Sequence, residues 1–149
     1  MRAPDLRVEG LRVQSREGRV LLAIDHLALP GGQSLALTGA SGAGKSTFLH
    51  VLSGLVRPHA GRVFWGDTDI AALSEDARAA FRRDRLGLVF QDCHLFEELS
   101  ALGNAALASA FAPRAARAPI RAAAARWLAG LGLGQAGARP VDSFSGGER

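Results

Sequence analysis

Residues 39–47, GASGAGKST, satisfy the spacing G-x-x-x-x-G-K-[ST] through Gly39, Gly44, Lys45 and Ser46. The residue types suit one task, holding a polyphosphate. Gly39, Gly42 and Gly44 admit backbone angles closed to other residues, so several N–H groups can converge on phosphate oxygens, and a helix opening here adds positive potential. With Ala40, Ser41 and Ala43 completing the loop, the backbone itself becomes the anion site. Lys45 supplies a point charge for outer phosphates, the Ser46 hydroxyl is placed to ligate Mg²⁺, and Thr47 can donate to an inner phosphate. Of the 18 basic residues 17 are arginine, and Lys45 is the single lysine of the chain. A sequence that otherwise takes positive charge from arginine keeps a lysine inside this loop.

The loop needs a strand before it and a helix after it. Ser34–Thr38 reads as a short buried strand and Ser46–Leu52 as the first turns of a helix. Upstream, Leu6–Val13 alternates apolar and polar residues, Gly18 marks a turn, and Val20–Leu29 returns antiparallel. Downstream, Arg57–Gly61 breaks the chain, Arg62–Trp65 is a strand, and Gly66-Asp67 turns it. Ser74 followed by Glu75 and Asp76 is an N-cap with acids in the first turn of a helix running to about Arg83. Leu86–Phe90 is expected as a second buried strand, ending at Gln91. From Ser100 onward the chain turns alanine-rich, with prolines at 113 and 119 and a helix expected over Ile120–Leu131, where Trp127, Leu128 and Leu131 share a face. Trp65 and Trp127 both read as packing residues.

Composition narrows the function classes. With 149 residues, 48% hydrophobic and 21% charged, the chain matches a soluble globular domain. No apolar run is long enough to span a bilayer and the start has no secretory core, so the chain is expected to stay where it was made. Cys93 is the one cysteine, which fits a reducing cytoplasm, and His26, His50, His59 and His94 fall at no metal-ligand spacing. The net charge of +4 comes from arginines interspersed with acids, not from a basic block, so no nucleic-acid partner is expected. A guanine-reading N-K-x-D box is impossible when Lys45 is the only lysine.

Three motifs in order then resemble the ATP-binding cassette (ABC) ATPases: the loop at 39–47, the Gln that ends "LGLVFQD", and "FSGGER" at 144–149. The flanking "LSGLVRPHAGRV" and "NAAL" also look like family counterparts. Within the family, "RDRLGLVFQDCHLFEELSALGNAAL" and "SGGER" look most like the lipoprotein-release, macrolide-export and cell-division group.

The resemblance implies an α/β P-loop NTPase fold with a RecA-like core, an N-terminal antiparallel β subdomain and a partial α-helical subdomain. The division implied is residues 1–91 for the β subdomain and loop core and 92–149 for the helical subdomain. It implies ATP and Mg²⁺ as ligands, with Gln91 approaching the metal and the attacking water, and Asp92 to Glu97 facing a transmembrane permease subunit. Ser145, Gly146, Gly147 and Glu148 would meet the ATP held by a second cassette protomer, where Ser plus two glycines opening a helix form another N–H-rich anion site. The implied location is peripheral, on the cytoplasmic face of the membrane. Two departures stand beside these expectations. The family places an aromatic residue for adenine in the region of Leu11–Val20 and this sequence has none there. The Walker B Asp, the catalytic Glu and the switch His have no counterpart through Arg149, so the sequence as it stands is expected to hydrolyse ATP poorly alone, with the strand at 34–38 short of its usual neighbour.

Overall fold

The computed structural model describes residues 3–91, 95–134 and 137–140, and the chain divides into two compact units, Met1–Val89 and Phe90–Arg149. The first unit is built on an antiparallel sheet of β1 (Leu6–Gln14), β2 (Val20–Leu29), β3 (Ala60–Trp65) and β4 (Thr68–Asp69), in the order β2-β1-β3-β4. The β1–β2 hairpin closes where the Ser15 N–H donates to Arg19 O at 2.8 Å and the Gly18 N–H to Ser15 O at 3.0 Å. Along β1 the buried positions are Leu6 and Val8, then Leu11 and Val13, so the alternation changes phase at Gly10. The cause is local: Gly10 has φ +57°, the pairing with β3 slips between Glu9 and Arg12, and Gly61 crosses so closely that a Cβ there would lie 2.5 Å from the Gly10 carbonyl. Both halves of β1 thereby face one core.

That core is completed by α1 (Lys45–Leu52), whose Phe48, Val51 and Leu52 lie on one face and are buried against Leu6, Val8, Leu11, Val13, Val63 and Ile70. The carboxyl end of α1 is tied down twice. Trp65 Nε1 donates to Leu52 O at 2.8 Å, and Arg82 Nη1 donates to Gly54 O at 2.7 Å. Arg82 belongs to α2 (Glu75–Arg85), whose Ser74 hydroxyl accepts from the Ala77 N–H at 3.3 Å as the cap expected from sequence. Trp65 is a packing residue as expected. Arg78, on the same helix, is only 8% exposed; it hydrogen-bonds Glu75, but its Nε and Nη1 have no partner among the described residues. The Arg78 hydrogen bond holds the Glu75 carboxyl below its ordinary range.

Two expected strands are absent as strands. Residues 34–38 and 86–90 belong to no ladder, and they are largely exposed: only Leu37 of the first packs on the core, and Val89 of the second is 101% exposed. A parallel strand draws all its hydrogen bonds from neighbours, and the described residues offer these two segments none. Their apolar composition was read correctly; the burial it implied needs partners that local sequence cannot supply.

The second unit packs α3 (Ala101–Ala105) and α4 (Ala108–Phe111) against α5 (Arg114–Gly130), with Ala101, Ala106 and Ala124 buried where small side chains let helices approach. α5 begins six residues before the expected Ile120, because Pro119 near its amino end removes one hydrogen bond and the surrounding alanines carry the helix through it. Leu128 turns inward onto Ala101, but Trp127 is 75% exposed and Leu131 also faces solvent, so the expected shared apolar face and the packing role of Trp127 are both corrected. Asn104 closes the preceding turn. Its Oδ1 accepts from the Phe96 N–H at 2.8 Å, and its Nδ2 donates to Phe96 O at 2.9 Å and to Leu99 O and Ser100 O.

Replacing Arg78 with Met should raise stability by about 1–3 kcal/mol, since two buried unpaired donors disappear while Glu75 is left in water. Protonating Glu75 removes Arg78's one side-chain partner, so the advantage of the variant should grow as pH falls through the depressed Glu75 pKa. Denaturant unfolding at neutral and acid pH measures both, and a destabilised variant contradicts the reading of Arg78 as unsatisfied. Asn104→Ala should cost about 1–3 kcal/mol and speed hydrogen exchange at the Phe96 amide, without changing exchange in β1.

Candidate functional site

The site is assembled at the amino end of α1. Gly44 is the N-cap, in left-handed conformation at φ 88° and ψ 9°, and no side chain caps the helix. The first intrahelical bond runs from the Phe48 N–H to Gly44 O at 2.8 Å, leaving the N–H groups of Lys45, Ser46 and Thr47 without an acceptor among the described residues. No acid lies in the first turn. A capped surface helix would place Ser, Thr, Asp or Glu here; this one presents bare donors and the positive end of its dipole.

The loop that leads in keeps those donors open. Gly39 and Gly42 also have positive φ, 147° and 79°, and a backbone hydrogen bond runs within the loop from the Ala43 N–H to Ala40 O at 3.3 Å. Gly44 is pressed against β2: a Cβ on it would lie 3.0 Å from Leu21 O and 3.4 Å from Leu22 Cδ1. Only glycine fits both the angle and the gap. Ala40, Ser41, Gly42 and Ala43 are exposed, as a ligand-facing loop requires.

Lys45 is more constrained than a free lysine. Its Nζ donates to Gly39 O at 2.9 Å and to Ala40 O at 2.7 Å, folding the side chain back over the loop. An ammonium has three donors, so one remains for a ligand at the mouth. The two carbonyls hold the charge on the loop that leads into the bare helix start, so electrostatic attraction and hydrogen bonding come from one short stretch of chain. Ser46 is exposed with its hydroxyl engaged by no described residue, and Thr47 is half-buried. The sequence placed Gly39 to Thr47 together, and they are together. The arrangement can hold a multiply charged anion and, through Ser46, one ligand of a divalent cation; these groups fit a Mg²⁺ nucleotide.

The other expected site residues lie in the second unit or outside the description. Gln91 is exposed in a bend at the start of that unit. Asp92 falls outside the described residues, as do Ser145, Gly146, Gly147 and Glu148. Asn104, whose role sequence reasoning missed, fixes the turn after Gln91 that carries exposed Phe96, Glu97 and Glu98. Its signal was present in "NAAL", but a side chain that closes a turn eight residues upstream leaves no periodic trace.

Comparison with known proteins agrees with this geometry. The family model described as "ABC transporter" matches residues 22–149. The chain is 40% identical over 147 residues to the lipoprotein-releasing system ATP-binding protein LolD of Granulibacter bethesdensis, covering 97% of this chain and 64% of that relative. It is 36% identical to the macrolide export ATP-binding/permease protein MacB of Nitrobacter winogradskyi, of which it covers 23%. Among solved structures, the dimeric post-hydrolysis state of the ATP-binding cassette MJ0796 bound to ADP and Pi superimposes with a TM-score of 0.82 at 28% identity, covering 96% of this chain and 64% of that one. The structure of cbiO1 from Clostridium perfringens, described as part of the ABC transporter complex cbiONQ, gives a TM-score of 0.81 at 25% identity, covering 98% of this chain and 57% of that one. The chain thus spans just under two thirds of the length of the first of these relatives and has the α/β fold of the cassette ATPases. On the family match, which takes in most of its length, this chain belongs to the ABC transporter family.

Proposed function

We propose that the chain is the ATP-binding motor subunit of an ABC transporter, coupling ATP binding and hydrolysis to transport by separate membrane subunits. One observation supports this above others: an uncapped, acid-free helix start sits under a glycine loop with the only lysine folded onto it. The likeness to LolD and MacB, both ATP-binding proteins, points the same way.

In this reading the N–H groups of Gly42, Gly44, Lys45, Ser46 and Thr47 bind and orient the phosphates, and Lys45 balances charge on the outer ones. Ser46 would hold Mg²⁺, which when bound supplies charge neutralisation at the phosphates; Gln91, to which the family resemblance also gives a metal-ligand role, belongs to the second unit. Gln91 serves the catalytic region by positioning water. Ser145, Gly146, Gly147 and Glu148 act across a dimer on the nucleotide of a second cassette protomer. In this proposal the first unit carries the loop and the second the partner-facing helices, with the boundary at Val89/Phe90, two residues before the expected 91/92. The permease is met by the turn that Asn104 fixes, where Phe96 offers apolar contact beside Glu97 and Glu98. No helix among the described residues is long and apolar enough to cross a membrane. In this proposal the chain works as a peripheral subunit on the cytoplasmic face.

Calorimetric titration with Mg²⁺-ATP tests the cradle. Lys45→Ala should weaken binding at least about tenfold, about 1.4 kcal/mol, and equal affinity would overturn the assignment. Gly44→Ala should cost about 1–3 kcal/mol of stability in denaturant unfolding, because the added Cβ meets Leu21 O in a backbone conformation alanine resists.

A further inference from the structure

Averaged over the whole chain, arginines are interspersed with acids, but the second unit breaks that balance. From Leu99 to Val141 there are five arginines and no Asp, Glu or Lys, so this stretch takes five of the 18 basic residues and none of the 14 acids. Three of the five, Arg114, Arg117 and Arg121, follow the spacing i, i+3, i+7 and form one stripe about 10 Å long on α5, where all three are exposed. In the first unit Arg7, Arg12, Arg62, Arg78, Arg82 and Arg83 each lie against an acid. The three arginines of the stripe have no acidic partner among the described residues. Beside the stripe the helix surface is low, because Ala118, Ala122 and Ala125 are the exposed residues there. One ring stands out: Phe111, at the end of α4, is 86% exposed. Arg117 Nε donates to Ala112 O at 3.0 Å, which brings the stripe to the corner that carries this ring.

Unpaired arginines on a low helix face, with one protruding aromatic ring, suit a plane of negative charge that has an apolar layer beneath it. Guanidinium groups match phosphate oxygens two at a time, the alanines let the helix approach the headgroups, and the ring reaches past them. Nucleic acid fits less well. Proteins held by a phosphate backbone make about 6–10 phosphate contacts along a groove, and three arginines on a convex helix supply neither the number nor the groove. Each basic residue near an anionic membrane surface contributes about fivefold to affinity, so this corner gives weak, reversible attachment.

We propose that the α4–α5 corner is a docking surface for an anionic lipid bilayer, on which Arg114, Arg117 and Arg121 take headgroup phosphates and Phe111 enters the interface. The inference goes beyond the peripheral location proposed above and is independent of the phosphate cradle, which lies in the first unit. Co-sedimentation of the full chain with lipid vesicles tests it. Vesicles of phosphatidylglycerol and phosphatidylcholine in equal parts should bind the chain at least about tenfold more tightly than phosphatidylcholine alone, and salt at about 0.5 M should remove the difference. Arg114→Gln combined with Arg121→Gln should weaken attachment about tenfold or more, whereas Arg114→Lys with Arg121→Lys should keep it. Phe111→Ala should weaken it about threefold or more, and Trp127→Ala, away from the stripe by helical periodicity, should leave it unchanged. Equal binding to the two kinds of vesicle overturns the proposal, as does a Gln pair that binds like the unaltered chain or a Lys pair that loses as much as the Gln pair. Tighter binding to a single-stranded oligonucleotide than to the anionic vesicles, lost in the same Gln pair, assigns the stripe to nucleic acid and overturns the proposal as well.

Discussion

Everything at the site depends on where one short helix is held. An isolated helix of eight residues is not stable in water, so α1 exists because its apolar face is buried on the sheet and its carboxyl end is fastened. Phe48, Val51 and Leu52 provide the first, and the bonds from Trp65 and Arg82 to carbonyls at and just beyond its last turn provide the second. Arg82 also places positive charge near the negative end of the dipole. With that end satisfied, the amino end can be left bare. Its unpaired N–H groups would be a defect in an ordinary surface helix, and here they are the feature that makes an anion site.

The glycine loop and the sheet are coupled through the same constraint. Gly44 fits against Leu21 O only because it lacks a Cβ, so β2 sets the height at which the loop turns into α1. β2 in turn is positioned by β1, whose change of phase at Gly10 lets Leu6, Val8, Leu11 and Val13 all reach the core that supports α1. The close crossing of Gly10 and Gly61 is thus remote from the loop in sequence but part of what aims it. Lys45 completes the arrangement by bonding carbonyls of the loop it serves.

Features written in local sequence were legible. The β1–β2 hairpin shows in alternation and a glycine turn, the α2 start in Ser74 with Glu75 and Asp76, and the phosphate loop in its glycine spacing and lone lysine. Features that depend on distant partners were not. Leu35, Leu88 and Val89 have strand composition, yet strands are made by ladders, and no neighbour for them exists among the described residues. Pro119 reads as a break, but near a helix start it removes a single bond that an alanine-rich segment tolerates. Trp127 reads as core by its size, and only the packing of Leu128 shows which face of α5 turns inward. The Asn104 clamp and the Gly61 crossing escape sequence reading for the same reason, since each is defined by what it touches.

The central claim is that the bare amino end of α1, held from behind, is the ligand site. Amide chemical shifts followed during titration with Mg²⁺-ATP test it most directly. The largest changes should fall on Gly42, Gly44, Lys45, Ser46 and Thr47, with the Trp65 indole N–H unmoved because its bond to Leu52 O holds the far end of the helix in both states. Saturable binding whose largest shifts lie outside residues 39–47 would contradict it.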